Sequence, residues 1–135
     1  MLSEFIMGIE NEERENQKII MSGEGKTTHA RWFGPSSAVW TDQMNDSEYR
    51  LVFLKYIERY ANDILRTRGH LFLNEVYDLL GLARTVTGQL VGWTYDETGH
   101  ISFNIYSKDN SDFVNGYTQE VMLDFNVNGI IVDKI

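Results

Sequence analysis

The sequence predicts an α+β domain: one long and one short helix packed on an antiparallel sheet of about four to six strands. Three observations carry this expectation. Apolar residues recur at helical spacing over residues 46–68 and again over 74–80. From residue 90 onward they alternate with polar ones, and the helices precede the strands instead of interleaving with them, which is not the order of a parallel alternating fold. The chain of 135 residues is long enough to bury one core without a metal or a covalent staple. Its 42% hydrophobic and 13% aromatic content excludes a disordered chain. The absence of cysteine excludes a disulfide framework, thiol catalysis and thiolate metal sites, and suits a reducing cytoplasm.

In chain order, residues 1–24 read as an arm. Leu2, Phe5, Ile6 and Ile9 share one helical face, and residues 10–18 are almost wholly polar. The globular domain is residues 25–135. Arg31-Trp32-Phe33 and Ala38-Val39-Trp40-Thr41, separated by Gly34-Pro35-Ser36-Ser37, read as a hairpin. The long helix spans 46–68. Asn45 and Glu48 make a capping box, Phe53, Ile57, Tyr60 and Ile64 form the inward stripe beside Leu54, Ala61 and Leu65, and Gly69 ends it. After an extended connection at 70–73, Asn74 caps the short helix and Gly81 closes it. Residues 90–95 then meet 101–106 across Asp96-Glu97-Thr98-Gly99. A strand at 121–127 turns at Asn128-Gly129 into Ile130-Ile131-Val132. No apolar run approaches the roughly 18 residues of a membrane span, and no basic-then-apolar leader is visible.

The net charge of −8 is unevenly spread. Residues 1–45 hold seven acids and four bases, residues 46–95 six of each, and residues 96–135 seven acids against two bases. No basic stripe is left for a phosphate backbone, so direct nucleic-acid binding is not expected. The acidity serves solubility in the plain reading, and a basic partner in the sharper one.

Catalytic and metal motifs are broken wherever they begin. Gly25-Lys26-Thr27 ends like a phosphate-cradling loop, but position 20 is Ile20 where that loop needs glycine. His29, His70 and His100 lack metal-ligand spacing. Around Asp109 and Asp112 a calcium loop would need an oxygen ligand where Phe113 stands. No cofactor or metal is expected. Phe113-Val114-Asn115-Gly116-Tyr117 differs in kind, because two aromatics sit in an otherwise polar loop. They are either exposed anchors for a partner or a plug for the sheet.

The block Leu73-Asn74-Glu75-Val76-Tyr77-Asp78-Leu79-Leu80-Gly81-Leu82, followed by Gly88 and Gly92-Trp93, resembles the C-terminal domain of a family of uncharacterised phage and prophage proteins of Gram-positive bacteria. The likeness is firm over 70–95 and looser over the rest of 25–135. Longer members carry membrane-type apolar segments before the domain, a pattern absent from these residues. The resemblance brings no catalytic motif. It implies a mobile genetic element and the cytoplasm of an infected or lysogenic bacterial host.

Three functions follow, in order of preference. The first is a non-catalytic interaction protein whose acidic surface meets a basic, nucleic-acid-binding host protein, in its sharpest form an inhibitor of a defence nuclease. Asp96, Glu97, Asp109, Asp112, Glu120 and Asp124 would then stand in for phosphates, with Phe113 and Tyr117 as anchors. The second is a structural or scaffolding domain, tethered in longer relatives by what precedes it, whose Leu2–Ile9 face pairs with a partner helix or with itself, the latter giving a homo-oligomer through residues 1–20. The third is an enzyme of unrecognised type, whose mark would be a pocket with convergent polar groups.

Overall fold

The computed structural model describes residues 29–97 and 99–135. The expected arm, the Gly25-Lys26-Thr27 loop and Thr98 lie outside the described residues. Among the described residues the α+β class holds, but the strands divide between two small antiparallel sheets, and a third, one-turn helix joins the two expected ones.

Strand β1 (Arg31–Phe33) does not form a hairpin with 38–41. It pairs with β4 (Val121–Leu123), with Trp32 opposite Met122. The turn that Gly34 and Pro35 begin keeps turning: Ser37 N–H donates to the Gly34 carbonyl and Trp40 N–H to that of Ser37. The Ser37 hydroxyl then donates to Leu80 O at 2.6 Å, so this segment curls onto the end of the short helix.

Helix α1 (Ser47–Arg68) begins at Asp46, whose carboxylate accepts from the N–H groups of Glu48 and Tyr49. The cap is therefore one residue later than the Asn45 box, and a carboxylate suits the positive helix end as well. Gly69, at φ +91°, ends the helix as expected. Its buried face is Arg50, Leu54, Ile57, Ala61 and Leu65, whereas Tyr60 of the predicted stripe points to solvent.

Strand β2 (His70–Phe72) and helix α2 (Leu73–Leu79) follow directly. Asn74 is not the cap. Glu75 Oε2 accepts the Phe72 N–H at 2.9 Å, while the Asn74 carboxamide is buried and exchanges two hydrogen bonds with the Thr85 backbone. The loop after the helix is thereby fastened to its first turn.

Strand β3 (Val91–Thr94) is wholly buried because it is the central strand, between β2 and β5 (Gly129–Ile130). It does not pair with 101–106. That segment keeps the predicted alternation, with Ile101, Phe103 and Ile105 buried, yet side chains satisfy much of its backbone. Asn62 bonds both the N–H and the carbonyl of Ile101, Glu58 accepts from Phe103 N–H, and Asn126 accepts from Ser102 N–H. Helix α1 thus supplies partners that a neighbouring strand would otherwise provide. Trp93, Tyr77, Phe103 and Phe125 fill the centre of the core, with the Phe125 ring edge-on to both Tyr77 and Phe103.

Candidate functional site

The loop between Ser107 and Val121 folds on itself. A 3-10 turn (Lys108–Asn110), capped by the Ser107 hydroxyl, runs into the one-turn helix α3 (Ser111–Val114). Asn110 is buried, and its Nδ2 donates to the carbonyls of Asn104, Ile105 and Met122, so one carboxamide fixes the loop to the 101–106 segment and to β4. Gly116, at φ +84°, reverses the chain, and the next N–H, of Tyr117, returns to the Asp112 carbonyl.

Beneath this loop lies Arg50, a cation only 2% exposed and without a carboxylate partner among the described residues. Its guanidinium donates to Met44 O at 2.9 Å, Asn45 O at 3.1 Å and Thr118 O at 3.2 Å, and sits 5.5 Å from the Phe113 ring centroid. Backbone carbonyls and an aromatic face take the place of an ion pair. The arrangement ties α1 to the turn at 44–45 that precedes it and to the loop that carries Phe113 and Thr118.

The fold brings Asp109, Asp112, Phe113 and Glu120 to one open cavity of about 640 Å³. Trp32, Pro35 and Met122 supply the rest of its apolar lining, and Asn110, Thr118 and Gln119 its polar sides. Met122 and Phe113 are buried and form its floor, whereas Trp32 is half exposed. Glu120 owes its place to Gly34, since a Cβ there would fall 2.7 Å from the Glu120 Cγ.

The two loop aromatics differ in burial. Phe113 is 1% exposed and plugs the core, while Tyr117 is 80% exposed on the same loop. The other three predicted acids lie elsewhere. Asp96 and Glu97 occupy the turn after β3, where Glu97 pairs with Lys134 at 2.6 Å and raises that ammonium's pKa above its ordinary value. Asp124 is half buried beyond β4, its carbonyl accepting from the Asn104 side chain. A further ion pair, Asp78 with Arg84, lies in the α2 region, where the Arg84 hydrogen bond lowers the Asp78 pKa.

Sequence reasoning missed Trp32, Pro35 and Met122. They join the cavity only through the pairing of β1 with β4, a distant contact with no local signal. Among the described residues no group of three or more His, Cys, Asp or Glu could hold a metal ion, and no helix is long and apolar enough to cross a membrane. A model of a family of unknown function, DUF6353, matches residues 6–135, so the matched region takes in most of the expected arm as well as the globular domain. No curated protein and no solved structure matches the chain.

Proposed function

Because the chain belongs to DUF6353, a family of unknown function, we propose its role from its surface: a non-catalytic interaction domain whose acidic end docks a basic segment of a partner protein. One observation carries the reading. Three carboxylates, Asp109, Asp112 and Glu120, share a cavity with an apolar floor and a half-exposed tryptophan. Arginine and lysine have that composition in reverse, an alkyl stem ending in a cation. The stem would lie on Phe113 and Met122, the cation would meet the carboxylates, and the indole face of Trp32 adds cation–π attraction. Tyr117, exposed and next in sequence to the cavity-lining Thr118, provides an aromatic anchor. The sharper form, a phage- or prophage-encoded inhibitor of a host defence nuclease, assigns the basic segment to a nucleic-acid groove.

The test is binding to a panel of host nucleases, with titration of each binder at about 50 and about 500 mM salt, on either side of strong screening. Binding is expected to weaken with salt, and changing Asp109 and Asp112 to lysine is expected to weaken it by about tenfold or more. Changing Asp96 and Asp133 to lysine alters net charge equally but away from the cavity, so its effect should be several-fold smaller. Equal losses from the two pairs would reduce the cavity to a contributor of bulk charge. Undiminished binding by the Asp109 and Asp112 variant would overturn the reading.

A further inference from the structure

We propose that the outer face of α1 is a second docking surface, and that its occupant is another copy of this chain, which presents its acidic end and Tyr117. Opposite the buried face of α1, Tyr49, Val52, Tyr56 and Tyr60 are exposed, and the Tyr56 and Tyr60 rings stack at 6.4 Å with their planes 12° apart. An apolar row of this kind on a helix is uncommon on a surface that touches nothing.

Beside the row, Val52, Tyr56 and Tyr95 wall a groove of about 860 Å³, bordered by Lys55, Arg59 and Arg66. The groove's two carboxylates are already engaged: Asp63 bonds Arg66 at 2.9 Å, and Glu58 accepts the Phe103 N–H at 2.8 Å. Arg59 makes no ion pair among the described residues. On a chain of charge −8, this aromatic groove therefore sets three cations against two carboxylates.

The acidic end is its complement. It offers three carboxylates together with Trp32 and Tyr117, two of the large aromatics left exposed. The two surfaces share no lining residue, so contact between them is heterologous, with one copy's acidic end in the next copy's groove. Such a contact leaves an unused groove at one end and an unused acidic end at the other, and copies add head to tail. The inference rests on the acidic end being a docking surface. It adds that partner binding and self-association exclude each other, because both use the same cavity.

Sedimentation equilibrium of the full chain, from low to high micromolar, tests this. The average mass of the wild type is expected to rise with concentration and to fall when salt is added. Arg59→Glu, which spoils the groove, and the variant with Asp112→Lys and Tyr117→Ser, which spoils the acidic end, should each stay at monomer mass. Mixed in equal amounts, they should form a dimer that grows no further, because each keeps the surface that the other lacks. A wild type that remains monomeric throughout overturns the proposal, as does a mixture that fails to pair while the wild type associates. Binding of an arginine-rich peptide to Arg59→Glu reads the acidic end alone. Peptide binding by Arg59→Glu together with a wild type that does not self-associate would defeat this inference and leave the docking reading standing, whereas no peptide binding by Arg59→Glu or by the wild type would defeat the docking reading itself.

Discussion

Replacing Trp93 with alanine is expected to cost about 4 kcal/mol, the range for emptying a fully buried tryptophan site. Trp93 is 0% exposed on the central strand, and its indole N–H donates at 3.0 Å to both the carbonyl and the side-chain oxygen of Asn126. The same Asn126 oxygen accepts the Ser102 N–H, and its Nδ2 donates to the His100 carbonyl, so the indole anchors one end of a polar cluster as well as the core. Trp93→Phe should recover the packing but leave Asn126 short of a donor, a loss of about 1–2 kcal/mol. The neighbouring glycine is equally constrained. A Cβ at Gly92 would overlap the Leu71 carbonyl oxygen and stand 2.8 Å from the Phe72 Cα, so Gly92→Ala pushes β2 from β3 and should cost about 3 kcal/mol. Urea melts read all three. A loss below about 1 kcal/mol for Trp93→Ala would contradict the packing described here.

Arg50→Leu is expected to cost about 3 kcal/mol, since it removes charge-assisted hydrogen bonds and strands the three carbonyls they satisfied. Its effect should also be regional. The carbonyls belong to Met44, Asn45 and Thr118, and the Phe113 ring lies against the same guanidinium, so amide hydrogen exchange should accelerate most over 108–120. Basic-partner binding should weaken with it, although Arg50 is not among the residues lining the cavity. Arg50→Lys should restore only part of the stability, because one ammonium lacks the planar fork that reaches Met44 and Asn45 on one side and Thr118 on the other. Unchanged exchange over 108–120 in Arg50→Leu would show that the loop holds itself.

What the sequence disclosed follows from the range of the interactions involved. Gly69, the inward alternation of Ile101, Phe103 and Ile105, and the buried side of α1 through Leu54, Ile57, Ala61 and Leu65, though not Tyr60, were legible because periodicity and a left-handed glycine are local properties. Strand partners were not. Arg31-Trp32-Phe33 has a turn and a second aromatic stretch directly after it, and nothing in those residues says that Ser37 is taken by Leu80 and that β4 is the real partner. The Asn74 assignment failed for a related reason. A carboxamide can cap a helix or grip a distant loop with the same two groups, and only the fold shows Thr85 within reach. At the candidate site, Asp109 and Asp112 were legible as an acidic pair, and Glu120 as an acid close by in sequence. That Phe113 turns inward while Tyr117 stays out depends on a buried arginine from another element.

The pairing of β1 with β4 also sets a timetable. Trp32 emerges from the ribosome long before Met122, its opposite in the sheet, and the cavity has residues from both sides of that gap. Helix α1 and the turns around it can form from neighbours in the chain, whereas the acidic cavity must wait for a loop closure spanning most of the domain, which makes it a late event in folding. During that wait Trp32 and Phe33 have no sheet partner, and a chaperone or a second nascent chain has its longest opportunity there. The surface we assign to recognition is therefore expected to be among the last parts of the molecule to form.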